Sequence, residues 1–261
     1  MNKNIKTLLN ETLISPGYCT NFKLSIKELE LFRSAITEQY LETINESYPK
    51  LVDEFKRIGI ENYHLISNKI DHDSLWNKSK RCLKQSFVNN FKKMDIYQRL
   101  TDVYGQFKIC DIVYDNNYEK GKEEIYWRIV RPKVTTDIGP LHADRWFHEI
   151  LDMNSKVLGE KSLTIKIWIP IYSEIMKNGL LIVPNSNLKT WKYTSKLLNN
   201  VPKPVFLDKV EPILVPTDPG NMIIFSENTL HGGAFNNGNT TRISCEITMI
   251  FEKDHFNDLI I

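Results

Sequence analysis

The sequence lacks the features of an extracellular, membrane-spanning or nucleic-acid-binding protein. Its four cysteines, Cys19, Cys82, Cys110 and Cys245, stand singly along 261 residues. None has a neighbour at zinc-binding or redox spacing, so they are read as reduced thiols of a cytoplasmic protein. No run approaches about 18 consecutive apolar residues, which excludes an obvious transmembrane helix. From Met1 to Pro16 there is no apolar stretch of the kind a signal peptide needs. Neither sign of charge is in excess: 34 Lys and Arg against 32 Asp and Glu leave a net charge of +2. A balance of that kind gives no support to nucleic-acid binding or to a polybasic membrane anchor. Internal repeats and low-complexity linkers are also missing. The oligomeric state is left open.

What is present divides the chain by periodicity. Ser25-Ile26-Lys27-Glu28 has the form of a capping box. After it Ile26, Leu29, Phe32, Ile36, Tyr40 and Ile44 recur at helical spacing, predicting a helix to about Glu46. Further helices are expected from Lys50 to Arg57, from Ser74 to Met94 (with Leu75, Cys82, Val88 and Phe91 on its buried stripe) and from Asp95 to Tyr104. Residues 1–105 are therefore expected to be a mainly helical cover. Beyond them short apolar or alternating runs appear at Lys108–Tyr114, Glu124–Val130, Leu163–Ile169, Leu180–Val183, Ile213–Val215, Asn221–Phe225 and Ile243–Phe251. Gly, Pro and Asn clusters separate them, as in an all-β sandwich or barrel. The fold class expected is mainly β with N-terminal helices packed on one sheet, within a single domain spanning residues 1–261.

Three short motifs carry the chemistry. His142-Ala143-Asp144 places two metal-type side chains at i and i+2, which share one side of an extended chain. His231 follows the strand-like run Asn221–Phe225 and precedes Gly232-Gly233, at an expected strand end. Two imidazoles and one carboxylate suit one face of an octahedral iron(II) ion, with three positions left for substrate and oxygen. Arg242 and Ser244 fall on one face of the alternating strand Thr240–Phe251. A planar two-pronged cation beside a hydroxyl suits a carboxylate.

Other polar residues leave two readings open. Thr164, Lys166 and Trp168 share the strand face opposite Ile165, Ile167 and Ile169. They either line the cavity, with Thr164 or Lys166 assisting a cosubstrate and Trp168 shaping the pocket, or face solvent. Arg128, Arg131 and Lys133 either hold an anionic substrate or are ordinary surface charges. Arg145, Trp146 and His148 follow Asp144 directly and are placed at the pocket mouth, with His148 read as structural. Asp71-His72-Asp73, beside Ser74, is read as a solvated helix cap. His64 and His255 carry no hypothesis.

With these residues in view, the chain resembles the phytanoyl-CoA dioxygenase-like family of iron(II)/2-oxoglutarate-dependent dioxygenases. Leu163-Thr164-Ile165-Lys166-Ile167-Trp168-Ile169-Pro170 resembles the strand that follows the first two ligands in that family. Asn178–Asn187 resembles its Gly-X-Leu-X-Val-X-Pro-Gly-Ser-His segment, and Asp218-Pro219-Gly220-Asn221 the turn before the strand that carries the distal histidine. The resemblance runs from about Ile125 to Phe251. It implies a double-stranded β-helix (a cupin-like jelly roll), iron(II) held by His142, Asp144 and His231, and 2-oxoglutarate paired with Arg242 and Ser244. Oxygen would be the second cosubstrate, and the activity hydroxylation of a small or carrier-linked metabolite. The carboxylate of Asp144 separates the chain from related halogenases, which carry a small residue there. Asn185 and Asn187 replace the family's Gly and His, and Arg145–Ser162 is longer than expected, so substrate identity does not carry over. Two alternatives are a cupin-like metalloenzyme without 2-oxoglutarate and a non-catalytic ligand-binding jelly roll.

Overall fold

The protein was analysed as a computed structural model, which describes residues 3–114, 117–151, 157–159, 162–198 and 201–257. The N-terminal part comprises α1 (Lys3–Leu13), β1 (Tyr18–Cys19), α2 (Ile26–Ser47), α3 (Val52–Ile58), α4 (His72–Leu75), α5 (Gln85–Phe91) and α6 (Asp95–Tyr104). Then come β2 (Lys108–Ile109), β3 (Asp111–Tyr114), β4 (Asn117–Glu123), β5 (Ile125–Val130) and α7 (Asp144–Ile150). The remainder is β6 (Ser162–Tyr172), β7 (Leu180–Ile182), β8 (Tyr193–Leu198), β9 (Val201–Phe206), β10 (Ile213–Leu214), β11 (Ile223–Ser226), β12 (His231–Gly233) and β13 (Arg242–Glu252). No helix of the described residues is long and apolar enough to cross a membrane.

The capping box forms as the sequence predicts. Ser25 Oγ accepts from the Glu28 N–H at 3.3 Å, and Glu28 Oε2 accepts from the Ser25 N–H at 2.7 Å. Glu28 also does something the local pattern does not reveal. Its Oε1 accepts from the Ile96 N–H at 2.9 Å, in the first turn of α6, so one buried carboxylate caps two helices. Burial alone would raise its pKa, but the Ser25 and Ile96 donors reverse the sign and hold it below its ordinary value. Glu28→Ala should therefore destabilise the protein by about 2 kcal/mol, one lost cap plus one stranded N–H. The stabilisation is present above the unfolded pKa and fades as pH falls through the lower folded one. Urea unfolding of parent and variant at pH 7 and pH 3.5 checks both statements, since the difference must shrink at the lower pH.

The helix expected over Ser74–Met94 is broken. Cys82 pairs with Tyr126 as an isolated antiparallel bridge, and the Leu83 N–H donates to the Ile125 carbonyl at 2.8 Å. The chain is thus drawn out across β5 between α4 and α5. Asn77 caps the intervening turn by accepting from the Lys80 N–H at 3.1 Å. The apolar stripe survives the correction, since Leu75, Cys82, Val88 and Phe91 are all buried. Asp71 caps α4 through the Ser74 N–H, as expected, but His72 is not a solvated neighbour. Its Nδ1 lies 2.8 Å from the Tyr63 hydroxyl and its Nε2 3.7 Å from Asp137.

The β elements form a six-stranded antiparallel sheet in the order β1-β11-β6-β13-β2, with β5 also on β13. A three-stranded sheet, β10-β7-β12, and the hairpins β3-β4 and β8-β9 complete the set. The ladders of the described residues do not close into a hydrogen-bonded barrel. The strands of the smaller sheet are two or three residues long. The large sheet is two-faced because its strands alternate. Ile165, Ile167 and Ile169 of β6 join Ile243, Cys245, Ile247 and Met249 of β13 and pack against Phe32, Ile36 and Tyr40 of α2. The helical cover lies on that face. The opposite face carries Thr164, Lys166 and Trp168 of β6, Tyr126 and Arg128 of β5, and Arg242, Ser244, Glu246 and Thr248 of β13, matched by the cross-strand register.

Candidate metal centre

The centre begins with a backbone pairing. The His142 N–H donates to the His231 carbonyl and the His231 N–H to the His142 carbonyl, each at 2.9 Å. Such a reciprocal pair sends both side chains to one side. The imidazole centroids lie 4.4 Å apart, tilted by 56°. Close approach is possible because residue 232 is glycine: a Cβ there would lie 3.3 Å from the Pro140 carbonyl oxygen and 3.4 Å from Leu141 Cα. The chain stays extended through Ala143 and turns into α7 at Asp144, which aims the carboxylate back at the imidazoles. Asp144 Oδ1 is 3.7 Å from Nε2 of each histidine, and one ligand atom from each of the three residues lies within 4.8 Å of the others.

The orientation of the rings is fixed from behind. His142 Nδ1 lies 2.9 Å from the Pro140 carbonyl and His231 Nδ1 2.9 Å from the Thr229 carbonyl. A carbonyl only accepts, so each Nδ1 carries the proton and each Nε2 offers a lone pair to the centre. Burial, with the neighbouring His231 ring, pushes His142 down to about 4, keeping it neutral at pH 7. Burial would raise Asp144, but nearby positive charge, the Lys166 ammonium first, outweighs it and holds the carboxyl well below the usual range. Lys166 Nζ sits 3.5 Å from Asp144 Oδ2 and donates to Thr248 Oγ1 at 2.9 Å. Burial opposes its charge; Asp144 and Glu246 restore it and raise its pKa. The result is two imidazole nitrogens and one carboxylate oxygen facing a common point, a donor set that suits iron(II).

Arg242 is 2 % exposed. Its guanidinium donates to the Gly179 carbonyl and, at 3.4 Å, to that of Ala234, and lies over the Trp168 ring at 5.9 Å. Its Nε and the buried Ser244 Oγ have no hydrogen-bond partner. Among the described residues no carboxylate comes within ion-pair distance of it. Burial and the Arg128 charge push its pKa down to about 10, still cationic at neutral pH. A buried cation without an anion, beside a buried hydroxyl without a partner, fits a bound carboxylate.

The other residues singled out from sequence are placed as follows. Thr164 is engaged: its N–H and Oγ1 donate to Glu227 Oε2 at 3.0 and 2.7 Å. Arg131 is clamped to Asp137, with Nε at 2.9 Å and a terminal nitrogen at 2.7 Å, and Arg128 pairs with Glu246. Lys133 donates to the Asn237 carbonyl at 3.1 Å. Trp168 is buried with Leu180, Ile182 and Phe225. Trp146 turns away from the triad, stacking on Tyr193 at 4.7 Å and bordering a cavity of about 340 Å³ with Trp191 and Asn187. His148 is buried, 3.7 Å from Glu227, and shares a face of α7 with Asp144. Asn185 takes a left-handed conformation (φ 61°), which explains how Asn serves where glycine is usual. Asn187 donates to the Leu13 and Ile14 carbonyls at the end of α1. The long Arg145–Ser162 stretch falls partly outside the described residues.

Sequence reasoning missed Glu227. It is 4 % exposed and ties β6 to α7 through Thr164 and Arg145. The available signal was an acidic residue directly after the apolar run Met222–Phe225 and Ser226, four positions before His231.

No protein-family model matches the sequence, and no curated protein is detectably similar to it. Solved structures do resemble it. One is an apo non-haem monooxygenase, ThoJ, at 11 % identity over 94 % of this chain and 79 % of that one, with a TM-score of 0.56. Its nickel complex gives 12 % identity, the same coverage and a TM-score of 0.52. EvdO2 from Micromonospora carbonacea var. aurantiaca, complexed with 2-oxoglutarate, gives 10 % identity over 96 % of this chain and 91 % of that one, with a TM-score of 0.56. At these identities the likeness establishes a shared fold.

Proposed function

We propose that this chain is a non-haem iron(II)/2-oxoglutarate-dependent oxygenase of the hydroxylating type, acting on a small or carrier-linked molecule, as in the phytanoyl-CoA dioxygenase-like family. One observation carries the reading. The His142–Asp144–His231 cluster lies against Lys166, on the same face of the sheet that carries the buried, anion-free Arg242. A metalloenzyme without 2-oxoglutarate has no use for that cation, and a binding module has no use for three converging metal-type groups. The fold shared with oxygenases supports the reading, and residues 1–261 serve as one domain in it.

His142, Asp144 and His231 would hold the iron, and Arg242 with Ser244 the far carboxylate of 2-oxoglutarate. When bound, these groups supply the oxidation: 2-oxoglutarate loses carbon dioxide to become succinate, one oxygen atom entering succinate and the other the substrate. The chain's own residues do the rest. The Pro140 and Thr229 carbonyls fix the imidazole tautomers. Lys166 draws Oδ2 aside and leaves Oδ1 facing the imidazoles. The helical cover packs on the isoleucine-rich face of the sheet behind them. The test is succinate release from 2-oxoglutarate with iron(II), across a panel of small molecules. Release without iron, or none with any candidate and none uncoupled, would remove the reading.

Lys166 offers a second check. In the metal-free protein it is the cation that neutralises Asp144, a task that a bound metal takes over. Lys166→Met should lower the stability of the metal-free protein by about 2 kcal/mol, less than a fully buried pair would lose because the two side chains keep 17 % and 13 % of their exposure. Added nickel(II) should recover most of that loss. Thermal unfolding with and without nickel decides: an equal deficit in both states means that Lys166 does not act through Asp144.

A further inference from the structure

Three cations meet on one aromatic ring at the edge of the site. Tyr126 and Arg128 lie on the face of β5 that Ser244 and Glu246 share on β13. The Lys78 ammonium is 5.5 Å from the Tyr126 ring centroid, the Arg81 guanidinium 4.8 Å and the Arg128 guanidinium 5.2 Å. Cation–π attraction accounts for one such contact. It does not account for three like charges gathered together, which repel. Two of them have their own anion: Lys78 pairs with Glu124 at 3.0 Å, and Arg128 pairs with Glu246. Arg81 has none. It donates to the carbonyls of Asn77 and Trp127 at 3.4 and 3.3 Å, and among the described residues no carboxylate lies within ion-pair distance of it.

The fold presents Arg81 deliberately close to this spot. The Asn77 cap and the Cys82–Tyr126 bridge anchor its turn on both sides. Burial and the Arg128 charge both make its own charge harder to keep, offset in part by Tyr126. Tyr126 lies opposite Glu246 of β13, and Glu246 opposite Trp168 of β6, two residues from Lys166, whose ammonium is 3.5 Å from Asp144 Oδ2, so the cluster sits on the sheet face that leads to the metal centre. The Arg128 side chain remains 40 % exposed. The Arg242–Ser244 pair lies deeper and is nearly sealed, so the two cationic sites differ in depth and in exposure.

We propose that Arg81 and Arg128, flanking Tyr126, form an oxyanion subsite at the mouth of the metal centre that receives the carboxylate or phosphoryl group of the substrate. Two planar guanidiniums held against one ring offer two-pronged donors for an oxyanion. The proposal rests on the oxygenase reading only in calling the bound molecule a substrate.

Calorimetric titration of the nickel(II)-loaded, 2-oxoglutarate-saturated protein tests it, with inorganic phosphate and acetate as separate probes. At least one probe should bind the parent, and its dissociation constant should rise tenfold or more in Arg81→Gln. The probe affected identifies the group as phosphoryl or carboxylate. Anion captured by the metal itself would be indifferent to that substitution. Arg81→Gln breaks no ion pair and should fold; Arg128→Lys, which keeps the charge opposite Glu246, is a second variant and should weaken the same probe. Binding of neither probe, or equal binding in parent and Arg81→Gln, overturns the subsite. If Arg81→Gln instead weakens 2-oxoglutarate, the cluster serves the cosubstrate and the subsite fails while the oxygenase reading stands. Parent protein that binds no 2-oxoglutarate sinks the oxygenase reading, and phosphate titration then still decides the subsite.

Discussion

Asp144→Ala should abolish iron retention and, with it, succinate production. The carboxylate is the one negative group among the three that converge, and its Oδ1 is the atom nearest both imidazole Nε2 positions. Removing an outlying partner of a metal ligand typically costs roughly 10–100-fold in metal affinity, and deleting a ligand outright should cost more. The informative companion is His148→Ala. His148 stands four residues later on the same face of α7, is equally buried, and has an Nδ1 without a hydrogen-bond partner. It lies outside the group whose ligand atoms come within 4.8 Å of one another. Iron content measured after desalting should be lost in Asp144→Ala and kept in His148→Ala. If the pattern is reversed, the choice of ligands is wrong and the mechanism built on it falls.

The candidate site was legible in the sequence to the extent that its chemistry is local. The i and i+2 spacing of His142 and Asp144 needs only an extended chain, and the chain is extended through Ala143. The alternation from Thr240 to Phe251 put Arg242 and Ser244 on one face, where the register of β13 with β5 and β6 places them. Pairing across the fold was not legible. That His142 and His231 exchange backbone hydrogen bonds follows from two segments almost ninety residues apart, and neither announces the other. The same holds for Arg81: nothing near it in sequence predicts that, from inside a supposed helix, it reaches the ring of Tyr126.

The fold shows the same division. Capping and period located α2 and α6, because Ser25, Glu28 and the apolar spacing act within a few residues. The stretch from Ser74 to Met94 has helical spacing too, yet it breaks where Cys82 and Leu83 gain backbone partners on β5. The tertiary bonds outweigh local preference there, as propensities of a few tenths of a kcal/mol per residue allow. The hairpin β3–β4 went unseen in part because Asn117–Glu123 carries almost no apolar residue to alternate, and β8–β9 because Pro202 and Pro204 argue against a strand. Both are two-stranded, so prolines and charges interrupt no larger sheet.

Arg242→Met should separate cosubstrate binding from folding. In the parent, Arg242 is a fully buried cation with an orphaned Nε and only carbonyl partners, a costly arrangement in the unliganded protein. Methionine fills similar volume without the charge, and the Gly179 carbonyl keeps the Ala234 N–H at 3.1 Å as a donor. The thermal midpoint of the unliganded variant should therefore not fall below that of the parent, and nickel(II) affinity should be unchanged. 2-Oxoglutarate should behave oppositely. Breaking a buried, charge-assisted pair by removing one partner costs about 3–5 kcal/mol, hundreds-fold or more in affinity. Arg242→Lys should fall between, since it keeps the charge and loses the planar fork. Calorimetric titration of 2-oxoglutarate into the nickel-loaded proteins reads this directly. Equal affinity in parent and Arg242→Met would refute the clamp and favour a metalloenzyme that uses no 2-oxoglutarate. A stability loss as large as the affinity loss would instead assign Arg242 to holding the β12–β13 connection through the Gly179 and Ala234 carbonyls.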